Sequence, residues 1–102
     1  MDYIYIISNS NGFVKVGVSK NPTKRVKQLQ TGNGNKLKLL FAEEFECTSK
    51  HLLNIEKKIH KDLSLKCSKQ IGEWFIISPE QIQSIKNTII WHRIRYEDNP
   101  LT

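Results

Sequence analysis

A phenol and an ammonium carried on one side of a β-sheet form a chemically pointed pair, because the nearby positive charge favours the phenolate, which can then act as a general base. Tyr5 and Lys15 meet that condition on pattern alone. Two apolar runs, Tyr3 to Ile7 and Phe13 to Val18, are rich in β-branched and aromatic residues, and Ser8-Asn9-Ser10-Asn11-Gly12 between them reads as a hairpin turn. Side chains alternate along a strand, so Ile4 and Ile6 share one face, as do Val14, Val16 and Val18. Burying all five together fixes the pairing parity and sets Tyr3, Tyr5, Phe13, Lys15 and Gly17 on the opposite face. The plainer reading of the pair is a half-buried strand aromatic beside a solvated lysine.

Two further candidates need helices to carry them. Asn21-Pro22 is a helix start, with Asn as N-cap and Pro at the first helical position, and Gly32 after Thr31 closes the helix. Pro22, Val26 and Leu29 form its apolar side. Arg25 lies at the edge of that stripe, where it can reach a cleft or simply stand as one more exposed cation. A second helix, capped by Thr48 or Ser49, is predicted to run to about Leu65, with Leu52, Ile55, Ile59 and Leu63 as its buried face. Glu56 and His60, four apart, lie one turn above the other at the border of that stripe. A carboxylate so placed can face a pocket floor while its helix stays in the core, as a protein ligand for Mg²⁺ does. The alternative is an ordinary glutamate of an amphipathic helix next to a lysine-rich surface.

The remaining elements position these groups. Thr31 to Asn35 is a loop by composition, and Leu37 to Phe45 is predicted to be the third strand of an antiparallel sheet. Cys67 to Ile71 reads as a polar connection, and Gly72 to Ile77 as a short turn and strand in which Trp74 and Phe75 supply core. Ser78-Pro79-Glu80-Gln81 is a capping box. The last helix carries Ile82, Ile85 and Ile89 on one side towards Trp91 and Tyr96, and Glu97 to Thr102 should fray. There is no internal repeat.

A chain of 102 residues, 38% hydrophobic and 25% charged, fits one globular domain over 1–102, with its core at about 3–90 and a frayed tail at 97–102. No apolar run approaches the roughly 20 residues of a membrane span, and the signal-peptide pattern is missing. An intracellular location is therefore expected, cytoplasmic, or nuclear or at a viral replication site, without a membrane partner. Cys47 and Cys67 lack metal-site spacing and read as free thiols, with a single bridge as the alternative. Net charge is +6, yet Tyr3 to Ala42 holds no Asp or Glu at all. Lys20, Lys24, Arg25, Lys27 and Lys36 in that interval suit a polyanionic partner such as a nucleic-acid backbone.

With Tyr5, Lys15, Arg25 and Glu56 placed, the sequence resembles the GIY-YIG endonuclease superfamily, in its small phage and viral branch. The first tripeptide corresponds to Tyr3-Ile4-Tyr5 and the second to Lys15-Val16-Gly17, followed by Ser19, Arg25, Glu56 and a Glu73-Trp74-Phe75 signature. Tyr3 stands where the family has its first glycine, and Lys15 where it has its second signature tyrosine. The resemblance implies an α/β (α+β) domain with a central three-stranded antiparallel sheet flanked by helices, hydrolysing a phosphodiester with one Mg²⁺ or Mn²⁺. It implies Tyr5 and Lys15 at the attacking water, Arg25 on the phosphate and Glu56 on the metal. His60 would transfer a proton or support the site structurally, and contact chemistry is not expected of Glu73. DNA is the substrate that the resemblance favours, with RNA and branched structures open, and target choice would come from a homodimer or a partner protein. The competing reading is a non-catalytic nucleic-acid-binding module that keeps the fold; a protein-interaction domain using the last helix around Trp91 is a third.

Overall fold

Strand β1 (Asp2–Asn9) pairs with β2 (Phe13–Ser19) in an antiparallel hairpin, in a computed structural model that describes residues 2–47 and 49–98. The turn works through its polar residues. Asn9 Oδ1 accepts from the amides of Asn11 at 2.9 Å and Phe13 at 3.1 Å, and Gly12, at φ +85°, takes the left-handed conformation that closes a three-residue hairpin loop. The register sets Ile4 against Val18, Tyr5 against Gly17 and Ile6 against Val16. Ile4, Ile6, Val14 and Val16 are buried in one cluster, with Val18 packed on it, so the deduced parity holds.

β3 (Leu37–Phe45) runs antiparallel along the other side of β1. Ile6 faces Phe41 and the next residue, Ile7, faces Leu39, so Leu40 is an extra residue in a bulge. The bulge lets Leu40 and Phe41 both pack on one side of the sheet while Leu39 packs on the other. These three strands do not make up the whole sheet, which corrects the three-stranded expectation. β4 (Lys69–Ile71) and β5 (Trp74–Ile76) extend it to five strands in the order β3-β1-β2-β5-β4. The segment read as a polar connection therefore contains an edge strand. Its three residues are all exposed, so it carries no burial alternation to recognise. Gly72-Glu73 is the two-residue turn of this second hairpin, with Gly72 at φ +58° in the first turn position, where glycine suits the twist.

Helix α1 (Pro22–Thr31) packs on one face of the sheet, over a cluster of Tyr5, Ile7 and Leu37 joined by Val26, Leu29 and Trp74. Its start is as read: Asn21 Oδ1 accepts from the Lys24 amide at 3.1 Å. Helices α2 (Ser49–Lys66) and α3 (Pro79–Asp98) cover the opposite face, where Leu52, Ile55, Ile59, Leu63, Ile85 and Ile89 meet Ile4, Val16 and Phe75. The N-cap expected at Thr48 or Ser49 lies outside the described side chains, as does Tyr96. The capping box forms in both directions: the Ser78 amide donates to Gln81 Oε1 at 2.8 Å and the Gln81 amide to Ser78 Oγ at 3.2 Å. Arg93 Nε, 2.5 Å from Glu43 Oε1, ties α3 to β3. α3 runs to Asp98, and residues 99–102, most of the tail expected to fray, lie outside the described residues. Cys47 and Cys67 are free thiols, which removes the single-bridge alternative. Among the described residues no helix is long and apolar enough to cross a membrane.

Candidate active site

Both faces of the sheet contribute to one place because β2 is only half covered on its outer edge. β5 pairs with Phe13 and Val14 and stops there. Further along, His60 of α2 bonds to the Val16 carbonyl through Nε2 at 2.7 Å, a helix side chain standing where a strand partner would have been. A carbonyl can only accept, so Nε2 carries the proton and Nδ1 is the ring nitrogen left for other work. This contact holds α2 against the strand edge. Glu56, one turn earlier, is thereby carried to the edge from which the charges on the α1 side of the sheet are felt.

On that side Tyr5 and Lys15 share a face, as the hairpin register demands. Tyr5 is buried to 2% exposure, and its ring lies directly over Gly17: a Cβ at residue 17 would stand 2.3 Å from the hydroxyl oxygen and 2.5 Å from Cζ. The strand opposite the tyrosine thus needs a residue without a side chain. The phenol oxygen has no hydrogen bond among the described residues, and it is not one of the polar atoms sealed from solvent. Its ring is fixed by that close fit.

Lys15 is also buried, at 8% exposure, so the solvated-lysine reading fails. Its ammonium is paired with the carboxylate of Glu73, which the Gly72-Glu73 turn brings beside β2. The Lys15 hydrogen bond and charge hold the Glu73 carboxyl below the usual carboxylate range, with smaller help from His60 and Arg25. Arg25, exposed on α1, is close enough for that effect. Glu56 behaves oppositely. Burial is the main cause that pushes its carboxyl up, and Glu73 adds to the rise, while His60 and Lys15 oppose it. The Glu56 side chain keeps 18% of its surface, and Oε1 lies 4.0 Å from His60 Nε2. A carboxylate held in that state is poised to gain from a cation.

Lys15 and His60 thus lie within electrostatic reach of Glu56 and Glu73, Arg25 within reach of Glu73, and Tyr5 shares the sheet face of Lys15. The other cations of the sequence reading do not join them. Lys24 and Lys27 lie on turns of α1 away from the Pro22–Val26–Leu29 stripe that meets the sheet. Lys20 borders a separate hollow with Tyr3 and Pro22, and Lys36 is exposed in the loop before β3. Glu73, of which contact chemistry was not expected, is the partner of Lys15. The signal was a Gly-Glu pair between two short β-capable runs, Lys69–Ile71 and Trp74–Ile76, which places that glutamate at a hairpin tip. Tyr3, on the same face, is occupied elsewhere: its hydroxyl donates to Glu44 Oε2 at 2.6 Å, and that bond raises the phenol pKa.

On a small α+β scaffold, two cations thus lie near two carboxylates, one of them half-buried. A nuclease-like or nucleic-acid-binding role is what the family match suggests for this scaffold. The chain belongs to the T5orf172 domain family, which matches it over residues 2–90, a phage-associated domain related to a GIY-YIG/HNH-like nuclease fold. No curated protein and no solved structure matches the chain.

Proposed function

We propose that this chain is a metal-dependent endonuclease of the GIY-YIG type, hydrolysing phosphodiester bonds in nucleic acid, with DNA as its substrate. The observation that supports the reading is that Glu56, held at the free edge of β2 by the His60 contact, feels the charges of Lys15 and Glu73, on whose sheet face Tyr5 also lies. In the proposed reaction Arg25 binds a non-bridging oxygen of the scissile phosphate and offsets the charge that grows there. Tyr5, on the sheet face of Lys15, relays a proton at its phenol oxygen, accepting one from the attacking water and passing its own to solvent, as the water oxygen bonds to phosphorus. The bond from phosphorus to the 3′ oxygen breaks, the electron pair stays on that oxygen, and a proton from solvent completes the 3′ hydroxyl. Glu73 holds Lys15 in place through its ion pair.

The residues present fit one Mg²⁺ or Mn²⁺. Among the described residues no group of three or more His, Cys, Asp or Glu could form an all-protein cage. Magnesium needs none, since it commonly binds through one or two carboxylates plus water and substrate phosphate. Glu56 would hold it, its ionised form favoured by the cation that burial otherwise discourages. When bound, the metal supplies Lewis-acid charge at the phosphate.

A plasmid-nicking assay with and without Mg²⁺ tests the reading, run beside Glu56→Gln and Arg25→Ala. The parent should nick only with the metal. Glu56→Gln should bind plasmid and leave it supercoiled, and Arg25→Ala should nick at least about 100-fold more slowly, with its stability within about 0.5 kcal/mol of the parent because the residue is exposed. Equal nicking by Glu56→Gln and the parent would overturn the metal assignment. Binding by a parent that never nicks would reduce the protein to a nucleic-acid-binding module.

A further inference from the structure

The face that carries Tyr5 and Lys15 continues past the site. α1 packs chiefly on β1, β2 and β3, and the β5–β4 end of that face is bordered by the hairpin tip and the 32–36 loop. There a hollow of about 210 Å³ opens between Phe13, Ile71 and Trp74 on the sheet and Asn9, Asn11, Asn33 and Asn35 around it. It is larger than the ~150 Å³ cavity that admits a benzene ring and smaller than the roughly 300–1,000 Å³ of sites for drug-sized ligands. Its size suits one planar ring system.

The chemistry of the walls narrows the occupant. Phe13 and Trp74 offer aromatic surface, and Ile71 leaves 57% of its own surface exposed beside them. The asparagine oxygens are engaged within the protein: Asn9 Oδ1 accepts two backbone amides, Asn33 Oδ1 accepts the Asn35 amide at 2.9 Å, and Asn35 Oδ1 accepts from Asn11 Nδ2 at 3.2 Å. Backbone amides require an acceptor, so at Asn9 and Asn33 the oxygen assignment is fixed by chemistry. The amide nitrogens of Asn9, Asn33 and Asn35 have no partner among the described residues. They offer donors to a ligand whose edge accepts. Charge agrees with a strand of nucleic acid: Lys36 adjoins Asn35, and Lys69 shares the face of Ile71 on β4. Glu73, next to Trp74, is held by Lys15.

We infer that this hollow is a subsite for one unpaired nucleobase of the bound strand, stacked against Phe13 and Trp74 and met on its carbonyl edge by asparagine amides. The inference rests on the nucleic-acid reading of the neighbouring site and deepens it. Phe13 and Lys15 are two residues apart on one strand face, roughly 7 Å, so a strand whose phosphate lies at Lys15 has a neighbouring base within reach of Phe13. Stacking on aromatic side chains is tolerant of sequence, and the acceptor-bearing edge of thymine, guanine or cytosine suits the donors. The substrate implied is a strand with at least one base out of its duplex.

The test uses Trp91→Phe, at an exposed position of α3, so that Trp74 is the sole tryptophan. In chelating buffer, a short oligothymidylate should quench Trp74 fluorescence, while an abasic strand of equal length should bind by charge, seen in the anisotropy of a label on the strand, without quenching. Adding Phe13→Leu, which keeps apolar bulk, should weaken the base-bearing strand at least about five-fold and leave the abasic strand unchanged. Equal quenching by both strands, or by neither, overturns the subsite, as does a Phe13→Leu protein that binds oligothymidylate at parental affinity. The nicking assay separates the two proposals. Nicking without quenching removes the subsite and keeps the nuclease, whereas quenching without nicking keeps the subsite on a binding module.

Discussion

Gly17→Ala asks whether the position of the phenol matters. Residue 17 lies opposite Tyr5 in the hairpin, and an added methyl would meet the tyrosine at 2.3 Å from its oxygen, 2.5 Å from Cζ and 3.0 Å from Cε2. Favourable carbon contacts begin at ~3.5 Å, so the ring has to retreat by about 1 Å. It has little freedom to do so, because Ile7 and Leu37 are buried in the same cluster and Val26 and Leu29 close it from α1. Overpacking of this kind costs about 1–3 kcal/mol, and each kcal/mol lowers the melting temperature of a domain this size by roughly 4–8 °C. A displacement of ~1 Å at a catalytic group costs on the order of 100-fold in rate. Thermal unfolding measures the first effect, and single-turnover nicking well below the melting temperature measures the second. Tyr5→Phe, which leaves the ring and removes the hydroxyl, should slow nicking comparably without the loss in stability. The double variant should be no slower than the worse single one, since both act on one oxygen. A folded Gly17→Ala protein that nicks at the parental rate would refute a catalytic phenol at Tyr5 and leave the residue a packing role.

Two carboxylates predict opposite dependences on pH. The Glu56 pKa is raised in the fold, so stability is fully present below the unfolded value of about 4.3 and is lost as pH rises through the folded value. Glu56→Gln should therefore melt higher than the parent near neutrality, with the gap closing below about pH 4; a variant less stable than the parent at pH 7 would contradict the burial penalty. The Glu73 pKa is lowered, so its contribution is present above about 4.3 and is lost as pH falls through the folded value. Glu73→Gln should melt lower than the parent at neutral pH and converge with it in acid. Lys15→Met, which removes the buried ammonium itself, should be better tolerated than Glu73→Gln, which leaves it unpaired; the reverse order in thermal melts would show that the pair stabilises more than it costs.

Alternation and capping made much of the fold legible from the amino-acid order. The hairpin parity followed from five apolar residues with period two, and α1 and α3 from Asn21-Pro22 and Ser78-Pro79-Glu80-Gln81, whose caps form as expected. The β4–β5 hairpin was half missed. Strands of three residues give too short a pattern to register, and β4 buries nothing. Glu73 was discounted for the same reason, since its place beside Lys15 exists only because that hairpin pairs with β2. The bulge at Leu40 was likewise invisible, because its cause is the demand of the two sheet faces for Leu39, Leu40 and Phe41 together.

Amino-acid order alone determined which side chains share a strand face or a helix stripe, because those periods belong to the backbone and need no partner. It thus placed Tyr5 with Lys15 on one face of the β1–β2 hairpin, and Glu56 with His60 on one side of α2. Only the tertiary structure joined the pairs. The early end of β5 leaves the Val16 carbonyl for His60 to bond, and that contact brings the Glu56 carboxylate towards the charges of the other face. Where a strand stops and what takes up the freed carbonyl depend on contacts between residues far apart in the chain, and local periodicity carries no record of them.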